Sequence, residues 1–291
     1  MEFAELLEER RIPYRTAGTH HHTSQGWLQL DCPLCSPRSG RFRLGYNIAG
    51  RFCSCWTCGY ISLWDVLLTT VGVEEREIKE LISKLPREKM TFSKKHTGKL
   101  QVPTGIEGLS VLHCDYLRQR GFRPSQIVDL WGIGGIRQHA RLGWRLYIPI
   151  TYQQELVSWT TRSIGSHSVR YLTAQDHESS ISPRDLLYGI DHCTTGSVII
   201  VEGPLDVWAF GYGVVGLLNK RASSAQLEQL SRFSNRTIVL DNETEAQAKA
   251  RELAADLAVF DGTTKVVCLT TGKDPASADR KELEALKETY L

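Results

Sequence analysis

The sequence predicts an α/β protein carrying a small cysteine-rich module at its N-terminus. Three observations lead there. After Gly196, short apolar runs alternate with helical segments and lack the polar alternation of a half-exposed sheet, the pattern of parallel strands covered on both faces. Between Cys32 and Cys58, two Cys-x2-Cys pairs stand nineteen residues apart, a spacing that suits a four-thiolate zinc ribbon. Three of the later apolar runs end in acid, at Glu202, Asp241 and Asp274.

Taken in order, residues 2–11 read as a short helix with Phe3, Leu6 and Leu7 on one face. The Cys-rich block follows, and within it FRLGYNIAGRFCSC supplies two short strands and a turn. SLWDVLLTTVGV and EEREIKELISKL read as two helices, with Ser62 as N-cap of the first, closing a domain over residues 1–84. From Leu85 to Gly105, Pro, Gly and Lys displace apolar periodicity, so 85–104 is read as a linker. A second region, 105–194, opens with helices in VLHCDYLRQRG and FRPSQIVDLWGI, the latter with Pro124 near its start. Strands follow in RLYIPIT, ELVSWTTRSI and VRYLTA. The third region, 195–291, alternates SVIIVEG, PLDVWAFGYG, GVVGLL, SAQLEQLSRF, RTIVLDNE, a long helix, and TKVVCLT, before a short C-terminal helix.

At 291 residues, with 41% hydrophobic and 23% charged, the composition is that of a globular chain with room for two domains. The net charge of +2 identifies no partner, but its distribution does more. Residues 32–64 hold Arg38, Arg41, Arg43 and Arg51 and no acid; residues 101–175 hold eight Arg and no Lys against four acids. Both stretches fit a polyanionic partner, or else a set of solvated surface arginines. No run of 18 apolar residues exists, and the charged N-terminus lacks a signal-peptide core. The expectation is a cytoplasmic protein with no membrane partner, in which clustered thiols stay reduced and hold metal.

Cys32, Cys35, Cys55 and Cys58 are the zinc ligands on this reading, one structural Zn²⁺ per chain. Cys53, two residues from Cys55, is read as a spare thiol outside the two Cys-x2-Cys pairs. His20, His21 and His22 read as polar surface rather than ligands, and Cys114, Cys193 and Cys268 as small core residues. The ribbon's Arg41, Arg43 and Arg51, with Phe42, Tyr46, Phe52 and Trp56, also allow a second role: arginine on phosphate, exposed rings stacked on unpaired bases.

Acids at the C-terminal ends of parallel strands meet along the sheet edge where α/β proteins place ligands. Glu202 closes SVIIVEG, Asp241 and Glu243 close RTIVLDNE, and Asp274 follows KVVCLTTGK, with Asp206 one helical turn beyond Glu202. Hard oxygen donors in an open cluster suit Mg²⁺ or Mn²⁺. The competing reading, acids that merely cap the next helices, explains one such strand end more readily than three.

Taken together these residues resemble the DnaG-type primases of bacteria and phages. DCPLC and GRFCSCWTCGYISLWDVL look like that family's zinc ribbon and its following helix; RLYIPI, LVSWTTRSI, VRYL and LLYGI follow the motif order of its RNA-polymerase core. VIIVEGPLDVWAF, TIVLDNE and GKDP look like the acidic motifs of the Toprim fold. The resemblance runs from about residue 26 to 275. It implies a zinc ribbon followed by a DnaG-like polymerase core with a Toprim subdomain. It further implies synthesis of short RNA primers on single-stranded DNA from nucleoside triphosphates, with Mg²⁺ or Mn²⁺ at the acids.

By that resemblance Glu202, Asp206, Asp241, Glu243 and Asp274 are the catalytic acids. Asp241, Glu243 and Asp274 hold metal, while Glu202 either activates the 3′-hydroxyl or holds metal too. Arg145, Arg162, Arg170 and Lys220 steady triphosphate or template, Arg221 contacts phosphate beside Lys220, and Trp56 joins the ribbon arginines on DNA. The sequence departs from the family in having Glu243 as the second acid of DxD, Ala276 where another Asp is common, Arg170 where Lys is usual, and LLNKRA in place of LGT. It ends at Leu291, so the helicase partner is expected to be a separate protein and the origin a phage or mobile element.

Related alternatives are weaker. A type IA topoisomerase needs a nucleophilic Tyr in a large further domain, and an ATPase-linked Toprim nuclease or a fused helicase needs a GxxxxGK[ST] loop that this sequence lacks. The rival of a different class is a recombination mediator, which binds DNA through a zinc motif and Toprim without catalysis. In that group the two lie close together, whereas here about 137 residues separate Cys58 from Gly196.

Overall fold

A computed structural model describes residues 2–20, 23, 26–48, 52–61, 63–85, 98–165, 169–219, 221–258 and 260–291. The chain divides into two compact units, residues 1–92 with 255–261, and residues 93–254 with 262–291.

In the first unit, helix α1 (Phe3–Glu9) buries Phe3, Leu6 and Leu7, as its periodicity requires. Four short strands, β1 (Trp27–Leu30), β2 (Leu44–Asn47), β3 (Phe52–Cys55) and β4 (Gly59–Ile61), form an antiparallel sheet in sequence order. One helix was expected over SLWDVLLTTVGV. The chain instead makes α2 (Leu63–Asp65) and then a π-helical stretch, Val66–Val71, whose wider turn buries Val66, Leu67 and Val71 together. It ends at Gly72, in the left-handed conformation at φ 73°, with its N–H on the Leu67 carbonyl. Helix α3 (Glu75–Lys84) completes the unit. Ser62, His21 and His22 lie outside the described residues.

The second unit contains two sheets. The first is antiparallel, in the order β5 (Ile106–Glu107), β6 (Gly134–Ile136), β7 (Arg145–Tyr152), β8 (Glu155–Ser163) and β9 (Tyr171–Thr173), with α4 (Val111–Gln119) and α5 (Pro124–Trp131) between β5 and β6. Strands β5 and β6 went unread in the sequence because they are two and three residues long and one of them is Gly-Gly-Ile. Part of the expected linker is anchored here: the Gln101 N–H donates to the Glu178 carbonyl at 2.9 Å, and Trp159 Nε1 donates to the Gln101 carbonyl at 2.8 Å.

The second sheet is parallel. From β10 (Ser197–Val201) the chain runs through α6 (Pro204–Phe210), β11 (Val214–Gly216), α7 (Ser224–Leu230), β12 (Asn235–Ile238), α8 (Thr244–Leu257) and β13 (Thr263–Val266) to α9 (Arg280–Tyr290). The strand order is β11-β10-β12-β13, with β10 and β12 central. Val198 to Val201 are fully buried, which explains the unbroken apolar run and is worth about 1.5–3 kcal/mol for each side chain. Cys268, expected in the core, is exposed, its thiol donating to Gln247 Oε1 at 3.0 Å; Cys114 and Cys193 are half-buried. Among the described residues no helix is long and apolar enough to cross a membrane.

Candidate active site and zinc centre

The four ribbon thiols converge. Cys32 follows β1, Cys55 ends β3, and the sulfurs of Cys32, Cys35, Cys55 and Cys58 all lie within 4.8 Å of one another. Sγ of Cys32 is 3.8 Å from that of Cys58, and Sγ of Cys35 is 3.6 Å from that of Cys55. A tetrahedron with Zn–S near 2.3 Å has edges of about 3.8 Å, so the donor set fits zinc in size and in kind. Backbone N–H groups of Cys35 and Thr57 point at the sulfurs of Cys32 and Cys55, at 3.5 and 3.4 Å. Without a cation the thiols compete for charge. Burial opposes ionisation of Cys35, but the neighbouring thiols and the Ser36 hydroxyl hold it down at about 6. Cys58, donating to Cys35, is pushed up to about 12. A divalent cation relieves that conflict. Cys53 is fully buried in the hydrophobic core, its thiol pushed up by burial, and stands apart from the ligand group.

The ribbon's surface is only partly as expected. Trp56, at 69% exposure, and Arg41 are open to solvent, while Arg43 is half-buried and reaches the Thr57 hydroxyl at 3.4 Å. Tyr46 is a core residue whose ring lies tilted against Phe3, 4.0 Å between centroids, so it cannot stack on a base. Phe42 lies under the Arg15 guanidinium at 4.2 Å. Arg51 and the Phe52 side chain lie outside the described residues.

At the other site, Glu202 follows β10 directly and Asp241 follows β12, so neighbouring central strands deliver both to the C-terminal edge of the parallel sheet. The Asp241 N–H donates to the Glu202 carboxylate. Gly216, at the end of β11, lets the turn after β10 close over it: a Cβ there would lie 3.1 Å from the Gly203 backbone. Asp206 is 9% exposed and accepts the Gly203 N–H at 3.1 Å and the Ala276 N–H, which joins the first turn of α6 to the loop carrying Asp274. The carboxylates repel. Burial, then the charges of Asp241 and Asp274, push Asp206 up to about 7. Burial, then Glu202, Asp274 and Glu243, push Asp241 up to about 7. Burial, with Glu243 and Asp274, raises Glu202, and Lys249 opposes that rise.

The acids form an open cluster; among the described residues only the four thiols make a tight metal-binding group. Two features nonetheless fit a divalent cation. Asp274 Oδ1 is buried without a hydrogen-bond partner, and the cluster holds more negative charge than Lys249 balances.

The predicted basic residues separate into two kinds. Arg170 and Arg221 are exposed, and Lys220 lies outside the described residues. Arg145, at 4% exposure, spends its guanidinium on the Val169 and Arg170 carbonyls, at 2.8 and 3.2 Å, which makes it a brace for that segment rather than a phosphate ligand. Arg162 is buried, donating from Nε to Tyr116 Oη at 2.8 Å and lying over the Tyr171 ring at 4.7 Å. Tyr116, Tyr171 and Lys249 were missed in the sequence. In the sequence Tyr171 reads only as part of a strand. Lys249 is detectable as an i, i+4 partner of Glu245, 2.7 Å away, eight residues after Asp241.

No protein-family model matches this sequence, and no curated protein sequence matches it significantly. Solved structures do resemble it. A DnaG catalytic core aligns at 19% identity and a TM-score of 0.53, over 64% of this chain and 74% of its own. A DnaG primase catalytic domain bound to single-stranded DNA aligns at 19% and 0.53, over 74% and 82%. The zinc-binding and RNA-polymerase domains of the Aquifex aeolicus primase align at 14% and 0.52, over 100% of this chain and 83% of that one. The chain therefore has the fold of DnaG-type primases, zinc ribbon included.

Proposed function

We propose that this protein is a primase: a metal-dependent nucleotidyltransferase that makes short RNA primers on a single-stranded DNA template. The observation that carries the reading is the convergence of Glu202, Asp241, Glu243 and Asp274 at one edge of a parallel sheet, within a fold shared with primase cores. Asp241, Glu243 and Asp274 would hold Mg²⁺ or Mn²⁺, with Glu202 as a further ligand or as the base for the 3′-hydroxyl. Such cations supply neutralisation of phosphoryl charge and orientation of attacking and leaving oxygens.

The chain's own residues do the rest. Asp206 fixes the turn after Glu202 against the Asp274 loop through its two accepted N–H groups. Arg162 is clamped between Tyr116 and Tyr171, and Tyr171 in turn faces Asp206. Exposed Arg170 and Arg221, with Lys220, are the groups assigned to triphosphate and template. Arg41, Arg43 and Arg51 with Trp56 are assigned to single-stranded DNA, the ligand that one of the similar structures holds. A replicative helicase is the partner such an activity calls for.

The test is synthesis of labelled oligoribonucleotides from nucleoside triphosphates on single-stranded DNA with Mg²⁺ or Mn²⁺. Products of a few nucleotides support the reading. Template binding without any dinucleotide, under either metal and on varied templates, transfers the protein to the non-catalytic class that pairs a zinc motif with Toprim.

A further inference from the structure

Between Asp241 and Glu243 stands Asn242, a residue that neither acid chemistry nor the resemblance singles out. Its backbone N–H donates to the Lys273 carbonyl at 2.7 Å. Its side-chain Nδ2 donates to the carbonyls of Leu269 and Gly272, at 2.7 and 2.8 Å. Both side-chain partners are acceptors, so the amide group must face them with its NH2. One side chain on the Asp241 turn therefore grips both ends of the loop that leads to Asp274.

The far side of that loop is held as firmly. Glu282 on α9 accepts the Thr270 N–H and hydroxyl at 2.6 and 2.7 Å, and the Thr271 N–H at 3.0 Å together with the Thr271 hydroxyl. These four bonds outweigh burial and hold its carboxyl at about 2. Ser277 Oγ accepts the N–H groups of Lys273 and Asp274 at 3.2 and 3.3 Å. Gly272 packs so closely that a Cβ there would lie 2.6 Å from Ala278. The anchors act on backbone and on the Thr270 and Thr271 hydroxyls, and Asp274 Oδ1 is left buried and unpartnered.

We propose that Asn242 is a positioning residue, a clamp that sets Asp274 against Asp241 and Glu243, with Glu282 as the second anchor of the same loop. The role deepens the nucleotidyl-transfer reading and rests on it: a carboxylate delivered by a loop serves a shared cation only if that loop keeps its register with the neighbouring strand. Backbone N–H and carbonyl contacts do that without adding charge to an already repulsive cluster.

The experiment uses the full zinc-loaded chain in Asn242→Leu, which keeps the branched shape and loses the side-chain donors, and in Asn242→Gly, which removes the side chain; both keep the backbone N–H. Glu282→Gln weakens the other anchor, and Glu284→Gln, on the same helix and paired with Arg280, is the control. Two readouts are taken: amide hydrogen exchange across residues 269–274, and Mn²⁺ affinity by electron paramagnetic resonance titration. Loss of the clamp should speed exchange in that loop at least about tenfold and weaken Mn²⁺ binding by about 10–100-fold, the usual range for groups that orient ligands, with the melting temperature little moved. Glu282→Gln should move both readouts the same way and Glu284→Gln neither. Wild-type exchange and Mn²⁺ affinity in Asn242→Gly overturn the proposal. Equal Mn²⁺ binding by the wild type and Asp241→Asn overturns the polymerase reading and the metal half of this inference, and loop exchange then still decides the clamp.

Discussion

Replacing Asp206 by Asn should stabilise the metal-free protein. Asp206 is buried at the first turn of α6, and burial followed by the charges of Asp241 and Asp274 lifts its carboxyl from 3.8 to about 7. The folded chain thus holds that proton to higher pH than the unfolded chain does. Stability falls as pH rises from about 4 to about 7, and the whole penalty is present above that window. A shift of about three units at 1.36 kcal/mol each amounts to about 4 kcal/mol at pH 8. Asn keeps one acceptor oxygen for the N–H groups of Gly203 and Ala276, and the poorer second bond costs about 1 kcal/mol. The net gain is about 2–3 kcal/mol, or roughly 4–10 °C in the melting temperature of a unit of this size. At pH 5 the gain should shrink below about 1 kcal/mol, because Asp206 is by then protonated in the fold. The assay is thermal unfolding followed by circular dichroism at pH 5 and pH 8, in buffers stripped of Mg²⁺ but with zinc retained. A lower melting temperature at pH 8, or the same gain at both pH values, refutes the charge-repulsion account of the cluster.

Other outcomes follow from the two sites. Elemental analysis should find one zinc per chain, lost in Cys55→Ser and kept in Cys53→Ser; equal loss would put the ligand set in error. Replacing Arg41, Arg43 and Arg51 by Ala should flatten the salt dependence of single-stranded DNA binding, measured by fluorescence anisotropy, by up to about two counterions. An unchanged slope leaves the ribbon as a structural module. Arg145→Ala should leave that slope intact but destabilise the second unit by about 2–3 kcal/mol in urea unfolding, because it strips two carbonyls of their donors. A slope change without destabilisation would return Arg145 to the phosphate ligands.

Legibility in the sequence tracked the range of the interaction. The thiol ribbon and the βα alternation are local patterns, and they come through as four gathered sulfurs and a parallel sheet. Strand-end acids follow from the same rule, since strand direction alone decides which edge receives them. The sequence is silent where the deciding partner is distant. Nothing in RLYIPI says that Arg145 will turn onto carbonyls 24 and 25 residues away, or that Arg162 will meet Tyr116 across 46 residues. Tyr46 reads as a candidate stacking ring until Phe3 is seen against it. The π-helical turn after α2 shows the same limit at short range, because packing of Val66, Leu67 and Val71 overrides a helical period that by itself favours an ordinary α-helix.

The most direct test compares primer synthesis by the wild type and Asp241→Asn under matched conditions. Asp241 follows central strand β12 and sits among Glu202, Glu243 and Asp274, and Asn preserves its shape while removing the charge that a divalent cation requires. The account predicts oligoribonucleotide synthesis by the wild type with Mg²⁺ or Mn²⁺. In Asp241→Asn it predicts a loss of at least about 10²–10³-fold, with zinc content, folding and affinity for single-stranded DNA unchanged. Comparable synthesis by the variant, or none by the wild type on any template, contradicts it.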